Sequence, residues 1–191
     1  RRAWIGSLRG ALGGREILSS SPETFLRLSG RGIETRPIKG TRPRFADPDE
    51  DRRSAYELQT SPKEIAELVM ITDLERNDLG SVCEYGSVTA SQLLQLERFA
   101  QVFHLVSTVE GTLRKDVSQV AAMAACFPGG SISGAPKKRA LEIIRELEPV
   151  PRGLFTGAIG YFGYNGESQF NIAIRTVVIR DGRAEFHVGA G

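Results

Sequence analysis

The chain has 191 residues, 40% of them apolar and 25% charged, the make-up of one folded unit with a sizeable core rather than of a disordered segment. Its 25 basic residues against 23 acidic leave a formal charge of +2, too even for the basic face that nucleic-acid binding requires. Cys83 and Cys126 form no CxxC and only His104 and His187 are present, which excludes a disulfide framework, a zinc ribbon and a histidine-rich metal cage.

In chain order, residues 14–40 alternate short apolar stretches with Ser, Pro and Gly, which predicts two or three strands with tight connections. Residues 41–62 are polar and loop-like at first, then compatible with a helix. Ser61-Pro62-Lys63-Glu64 reads as a capping box with proline at the first helical position. The helix it opens should stop near Gly80. Residues 84–114 mix a strand, a polar turn and a β-rich run into Gly111. Asp116 is a candidate cap for a helix over 117–127 that Pro128 ends, and Pro136 opens another that ends at Pro149. Asn165-Gly166 and Asp181-Gly182 are hairpin signals, so residues 157–191 read as a three-stranded antiparallel meander. Strands in runs with helices between them place the fold in the α+β class. The start on Arg1 and the strand-like end "FHVGAG" predict a piece of a longer protein. No membrane span or leader is visible, which points to a reducing cytoplasm.

Several residues have the type and setting for chemistry. Lys39, in "TRPIKGTRPR", has arginines close on both sides. It is either a solvated loop charge or a cation held to meet an anionic substrate. Glu67 points along the apolar stripe of its helix with Ile71 and Leu74. It reads either as an i,i+4 partner of Lys63 or as a Mg²⁺ ligand, since Mg²⁺ often takes one or two carboxylates and keeps waters. In "NIAIRTVVI", strand alternation puts Arg175 with Asn171, Ala173 and Val177, where it is a surface charge or a clamp on a carboxylate. "FPGGSISGAPKKRA" is a Gly/Ser loop running into a helix, a generic anion site through backbone N–H groups, Ser131 and Ser133. It fails as a phosphate loop, because Ala135-Pro136-Lys137 follows where Gly-Lys-Ser/Thr is required. His104, flanked by apolar residues, is a core histidine or a proton donor.

Taken in order, "SSSPETF", "TRPIKGTRPR", "ELVMITDLERNDLG", "HLVSTVEG", "FPGGSISGAPKKRALEIIRELEP", "GAIGYFGYNGESQFNIAIRT" and "GAG" resemble the chorismate-utilising enzymes over nearly the whole chain. The resemblance implies an α+β, anthranilate-synthase-like fold, an antiparallel β-sandwich with outer helices, of which residues 1–191 are a partial chorismate-binding catalytic domain. It implies that Glu67 binds Mg²⁺, that His104 lies near the C4 hydroxyl of chorismate, and that Gly40, Thr41, Ser131, Tyr161 and Arg175 line the pocket. Gly189, Ala190 and Gly191 are expected to meet a carboxylate through backbone N–H groups, and a second Mg²⁺-binding glutamate is expected beyond Gly191. Lys39 resembles the lysine of the aminodeoxychorismate-forming members, where anthranilate-forming ones usually have alanine. The implied chemistry is attack by Lys39 on C2, with Arg36 and Arg42 lowering its pKa and Glu23 helping to move protons. The implied product serves p-aminobenzoate and folate synthesis, and the implied partner is a glutamine amidotransferase that supplies ammonia. The alternative within the family is an anthranilate synthase large subunit.

Overall fold

The computed structural model describes residues 4–9 and 14–189, folded as two antiparallel sheets with helices against one of them. The smaller sheet has the order β1 (Trp4–Arg9), β2 (Glu16–Ser21), β10 (Thr176–Arg180) and β11 (Arg183–Phe186). In the larger sheet, β3 (Thr24–Ser29) pairs with β4 (Gly32–Arg36) on one side and β9 (Glu167–Ile172) on the other. β8 (Ala158–Phe162) lies outside β9. The long strand β7 (Val102–Thr112) pairs along one side with β4 and then with β5 (Ile38–Pro43), and along the other with β6 (Thr89–Arg98). β4 and β5 are thus one line of chain broken at Pro37, whose ring cannot donate to the ladder. The 14–40 region supplies four strands, not two or three, because the turns at Pro22 and Pro37 each split an extended run.

The helices are α1 (Pro48–Thr60), α2 (Pro62–Gly80), α3 (Gln119–Cys126), α4 (Gly130–Ser133) and α5 (Lys137–Leu147). α2 starts where its capping box requires: the Ser61 side chain accepts from the Glu64 N–H, with Pro62 at the first position. Its inward face carries Leu68, Ile71, Thr72, Glu75 and Leu79, a 3.6-residue stripe that packs on β5, β6 and β7. One core cluster, around Leu28, Ile33, Val109 and Phe170, lies under α3 and the end of α2; a second, around Leu58, Leu68, Phe103 and Leu105, lies under α1 and the start of α2. A third and smaller one, Ile17 with Ile159 and Ala173, joins the two sheets.

Three sequence expectations change. The cap of α3 is Ser118, whose hydroxyl accepts from the Ala121 N–H, rather than Asp116. Pro136 is the cap of α5 and not its first helical residue. The C-terminal strands are not one meander: β8–β9 is a hairpin of the larger sheet and β10–β11 a hairpin of the smaller one. Both turn signals were sound, but the strand between them breaks at Ala173–Arg175, where the chain changes sheets.

Candidate active site

The chain passes between the sheets twice, at Pro22-Glu23 and at Ala173–Arg175, and the two passages are tied together. The Ile172 N–H donates to the Glu23 carbonyl at 3.1 Å, the Ser20 N–H to the Arg175 carbonyl at 3.1 Å, and the Ser19 and Thr176 hydroxyls meet at 2.8 Å. Arg175 sits at φ 49°, in the left-handed region. Its placement follows from this crossing and not from the strand alternation read off the sequence, and it is exposed.

Lys39 and Glu23 meet here. The Lys39 ammonium donates to the Ser131 carbonyl at 3.3 Å. The buried Glu23 carboxyl accepts from the Ile38 N–H at 3.4 Å. Burial pushes the Glu23 pKa up, against the opposing pull of Ser131, the Ile38 N–H, Lys39 and Arg175. The Ser131 hydroxyl is near enough to temper Glu23 yet makes no hydrogen bond of regular geometry. Among the described residues it is the one buried side-chain polar atom without a partner. Buried hydroxyls without a partner are uncommon, and this one borders the buried Glu23 carboxyl.

Thr41 and His104 form the next pair, with Oγ1 and Nδ1 3.0 Å apart. The imidazole is edge-on to Phe99, centroids 5.3 Å apart, and buried. Burial lowers its pKa, and Arg175 adds to that; the Gly40 backbone and Glu97 work the other way. Gly40 makes this pairing possible. It lies where the β5–β7 register shifts, at φ 77°, and a Cβ there would come within 2.6 Å of Leu58 Cδ1 and 3.0 Å of Glu64 Oε2. Lys39, Glu23, Ser131, Thr41, His104 and Arg175 are thereby gathered from five separate segments.

Glu67 is half-buried on α2, and its carboxylate is 3.6 Å from the ammonium of Lys63, which is 75% exposed. So loose a pair leaves its oxygens free for a ligand. Among the described residues no three His, Cys, Asp or Glu side chains converge as a metal cage. A single available carboxylate still fits Mg²⁺, which fills its shell with water and substrate oxygens.

The remaining residues singled out in the sequence are placed as follows. Arg36 and Arg42 do not press on Lys39: Arg36 is paired with Glu97, and Arg42 lies 3.5 Å from Glu64. Tyr161 is exposed and lines a different cavity of about 510 Å³ with Pro22, Arg36, Phe99 and Gln169, because β8 turns that side chain to the sheet face away from the helices. Lys137, which follows the Gly/Ser loop, is turned inward onto Asp78 at 2.6 Å and the Cys126 carbonyl at 3.0 Å. Ser133 donates to the Gly129 carbonyl instead of facing a ligand. Gly189 is exposed beside the Phe155 ring, while Ala190 and Gly191 lie outside the described residues.

Two residues escaped the sequence reading. Phe155 packs on His187 at 5.7 Å between centroids and borders Gly189. Glu75, eight residues after Glu67 and on the same side of α2, is fully enclosed. The Thr35 hydroxyl donates to it at 2.8 Å, and burial raises its pKa to about 8, with Glu23 and Asp78 adding to the rise. The apolar stripe of α2 held the signal, because Glu75 occupies one of its core positions.

Residues 9–191 match the family model described as chorismate binding enzyme. The chain is 49% identical over 179 residues to the anthranilate synthase component 1 of Streptomyces coelicolor, covering 94% of this chain and 35% of that protein. It is 50% identical over 176 residues to the aminodeoxychorismate synthase component 1 of Bacillus subtilis, covering 92% and 37%. Among solved structures, the anthranilate synthase component I of Streptococcus pneumoniae superposes with a TM-score of 0.84 at 36% identity, over 96% of this chain and 40% of that one. The chain therefore spans little more than a third of the length of these relatives. No helix of the described residues is long and apolar enough to cross a membrane.

Proposed function

The chain belongs to the chorismate binding enzyme family, and from that membership we propose that it carries the site of a cytoplasmic enzyme aminating chorismate at C4. The product is 4-amino-4-deoxychorismate, a precursor of p-aminobenzoate and folate, and the ammonia comes from a glutamine amidotransferase partner. The observation that carries this reading is Lys39: it reaches the Ser131 carbonyl from β5, within electrostatic range of the buried Glu23.

Lys39 gives its ammonium proton to Glu23, whose raised pKa makes it a competent acceptor. The freed amine bonds to C2 as the ring double bonds shift and the C4 hydroxyl departs. His104, held by Thr41, donates a proton so that the hydroxyl leaves as water; burial lowers its pKa, which makes its imidazolium a readier donor than an ordinary histidine. Ammonia then bonds to C4 and expels Lys39, which recovers its proton from Glu23, and the enolpyruvyl ether stays intact. Arg175 and the Ser131 hydroxyl are placed to hold substrate oxygens. Glu67 would hold Mg²⁺, which when bound counters the charge of the ring carboxylate.

The test uses the full-length protein with chorismate, Mg²⁺ and an ammonium salt, with products identified by mass and pyruvate assayed. Aminodeoxychorismate without pyruvate is expected, and Lys39→Ala should slow its formation by at least about 10²-fold. Identity to an anthranilate synthase component supports a second reading, release of pyruvate with anthranilate as product. Anthranilate plus pyruvate from the unaltered protein would replace the first reading with that one.

A further inference from the structure

Beneath the Lys39 site lies a second buried carboxyl that the mechanism above does not use. The four-residue turn α4 sits between the two acids. On one side, Glu23 accepts from Ile38 and borders Ser131. On the other, Glu75 presses up against the turn: a Cβ on Gly130 would lie 3.3 Å from Glu75 Cγ and 3.0 Å from Leu74 Cδ2. A side chain at residue 130 would therefore force Leu74, Glu75 or the turn itself to give way by a few tenths of an ångström. Thr35 anchors Glu75 from the neighbouring strand at 2.8 Å.

The groups facing Glu75 come from every element around it. They are Thr35 on β4, Glu23 at the crossing, Asp78 on its own helix, Lys137 on α5 and the buried Cys126 on α3. Lys137, the cation that acts on Glu75, is already paired with Asp78, so among the described residues Glu75 has no ion-pair partner. Two enclosed carboxyls in electrostatic contact do not both ionise without large cost. Glu23 has two cations within range, Lys39 and Arg175, whereas Glu75 has only Lys137, which Asp78 already holds. The negative charge therefore belongs on Glu23, and the proton on Glu75.

We propose that Glu75 is a positioning residue of the Lys39 site: as a neutral carboxyl seated under α4 it sets the height of the Ser131 turn and leaves Glu23 as the only negative charge beside Lys39. The role rests on the function proposed above, but its neutral state does not. When Glu75 loses its proton, a second negative charge enters the pocket, Glu23 is pushed toward its protonated form, and Lys39 loses its proton acceptor.

The experiment compares full-length wild type with Glu75→Gln, which keeps the shape and an oxygen for Thr35 but cannot ionise. Chorismate consumption is followed from pH 7 to 9 at constant free ammonia, whatever the product. Because burial holds Glu75 near 8, the variant-to-wild-type ratio of kcat should rise about tenfold over that range, from any starting value. A ratio that stays flat overturns the proposal, and Glu75→Leu, which cannot ionise either but gives Thr35 no oxygen, should show the same rise from a lower starting value. Infrared difference spectra of wild type minus Glu75→Gln at pH 6.5 should contain the carbonyl band of a protonated carboxylic acid. Its absence overturns the proposal even in a protein that consumes no chorismate. If the band is present while wild type consumes none, the functional reading fails, and with it the positioning role.

Discussion

In the first half of α2, Glu67 is a half-buried carboxylate 3.6 Å from a largely exposed lysine; in the second half, Glu75 is wholly enclosed and Asp78 is locked to Lys137 at 2.6 Å. These side chains lie on one side of one helix, at spacings that the 3.6-residue period keeps in line. What differs is the cover. The first half borders the Gly40 bulge of β5, whose missing Cβ leaves room for Glu64. The second half runs under α3 and α4, with Leu74 and Glu75 against Gly130. A carboxylate with an open flank is available to a cation; one sealed under a turn keeps its proton or needs a lysine.

The contrast breaks most severely at Lys137. Its removal as Lys137→Ala leaves Asp78 half-buried without a counter-charge and should destabilise the fold by about 3 kcal/mol at neutral pH, measured by urea unfolding. Burial already raises the Asp78 pKa and Lys137 opposes it, so the loss should shrink as the pH is lowered and Asp78 takes up a proton.

Glu75→Gln sharpens the comparison through pH. Glu75 titrates near 8 in the folded chain against an ordinary 4.5, so between those values the folded state holds a proton that the unfolded chain has released. Its contribution is fully present below pH 4.5 and lost as the pH rises to 8. Relative to wild type, the glutamine variant should gain on the order of 1 kcal/mol per pH unit across that window and nothing beyond it. Equal pH slopes for the two proteins would show that Glu75 is ionised.

At the open end the stability effects should be small and the functional ones large. Lys63→Ala should change stability by no more than about 0.5 kcal/mol, because the pair is loose and its lysine solvated. Glu67→Gln should be as mild in urea, yet raise the Mg²⁺ concentration needed for half-maximal rate by at least about tenfold, read from a Mg²⁺ titration of chorismate turnover. A variant that needs no more Mg²⁺ than wild type would return Glu67 to the role of a surface partner for Lys63.

Local sequence determined the elements whose signals are local. The capping box at Ser61 placed α2 to the residue, and the Asn-Gly and Asp-Gly pairs placed two hairpins. Of the residues named around the Lys39 motif, Glu23, Thr41, Ser131, His104 and Arg175 lie near one another in the fold. Tertiary structure decided what depends on which surface covers which. It sent β10 to the other sheet, turned Arg175 out of its strand pattern and Tyr161 to the far face, engaged Arg36 and Arg42 with glutamates, and drew Lys137 inward. Periodicity gives the direction of a side chain within its own element, whereas desolvation and pairing depend on residues far along the chain. For that reason Glu67 could be singled out from the sequence, while the acid eight residues further on, though it sits on the apolar stripe of α2, owes its enclosure to the turn α4.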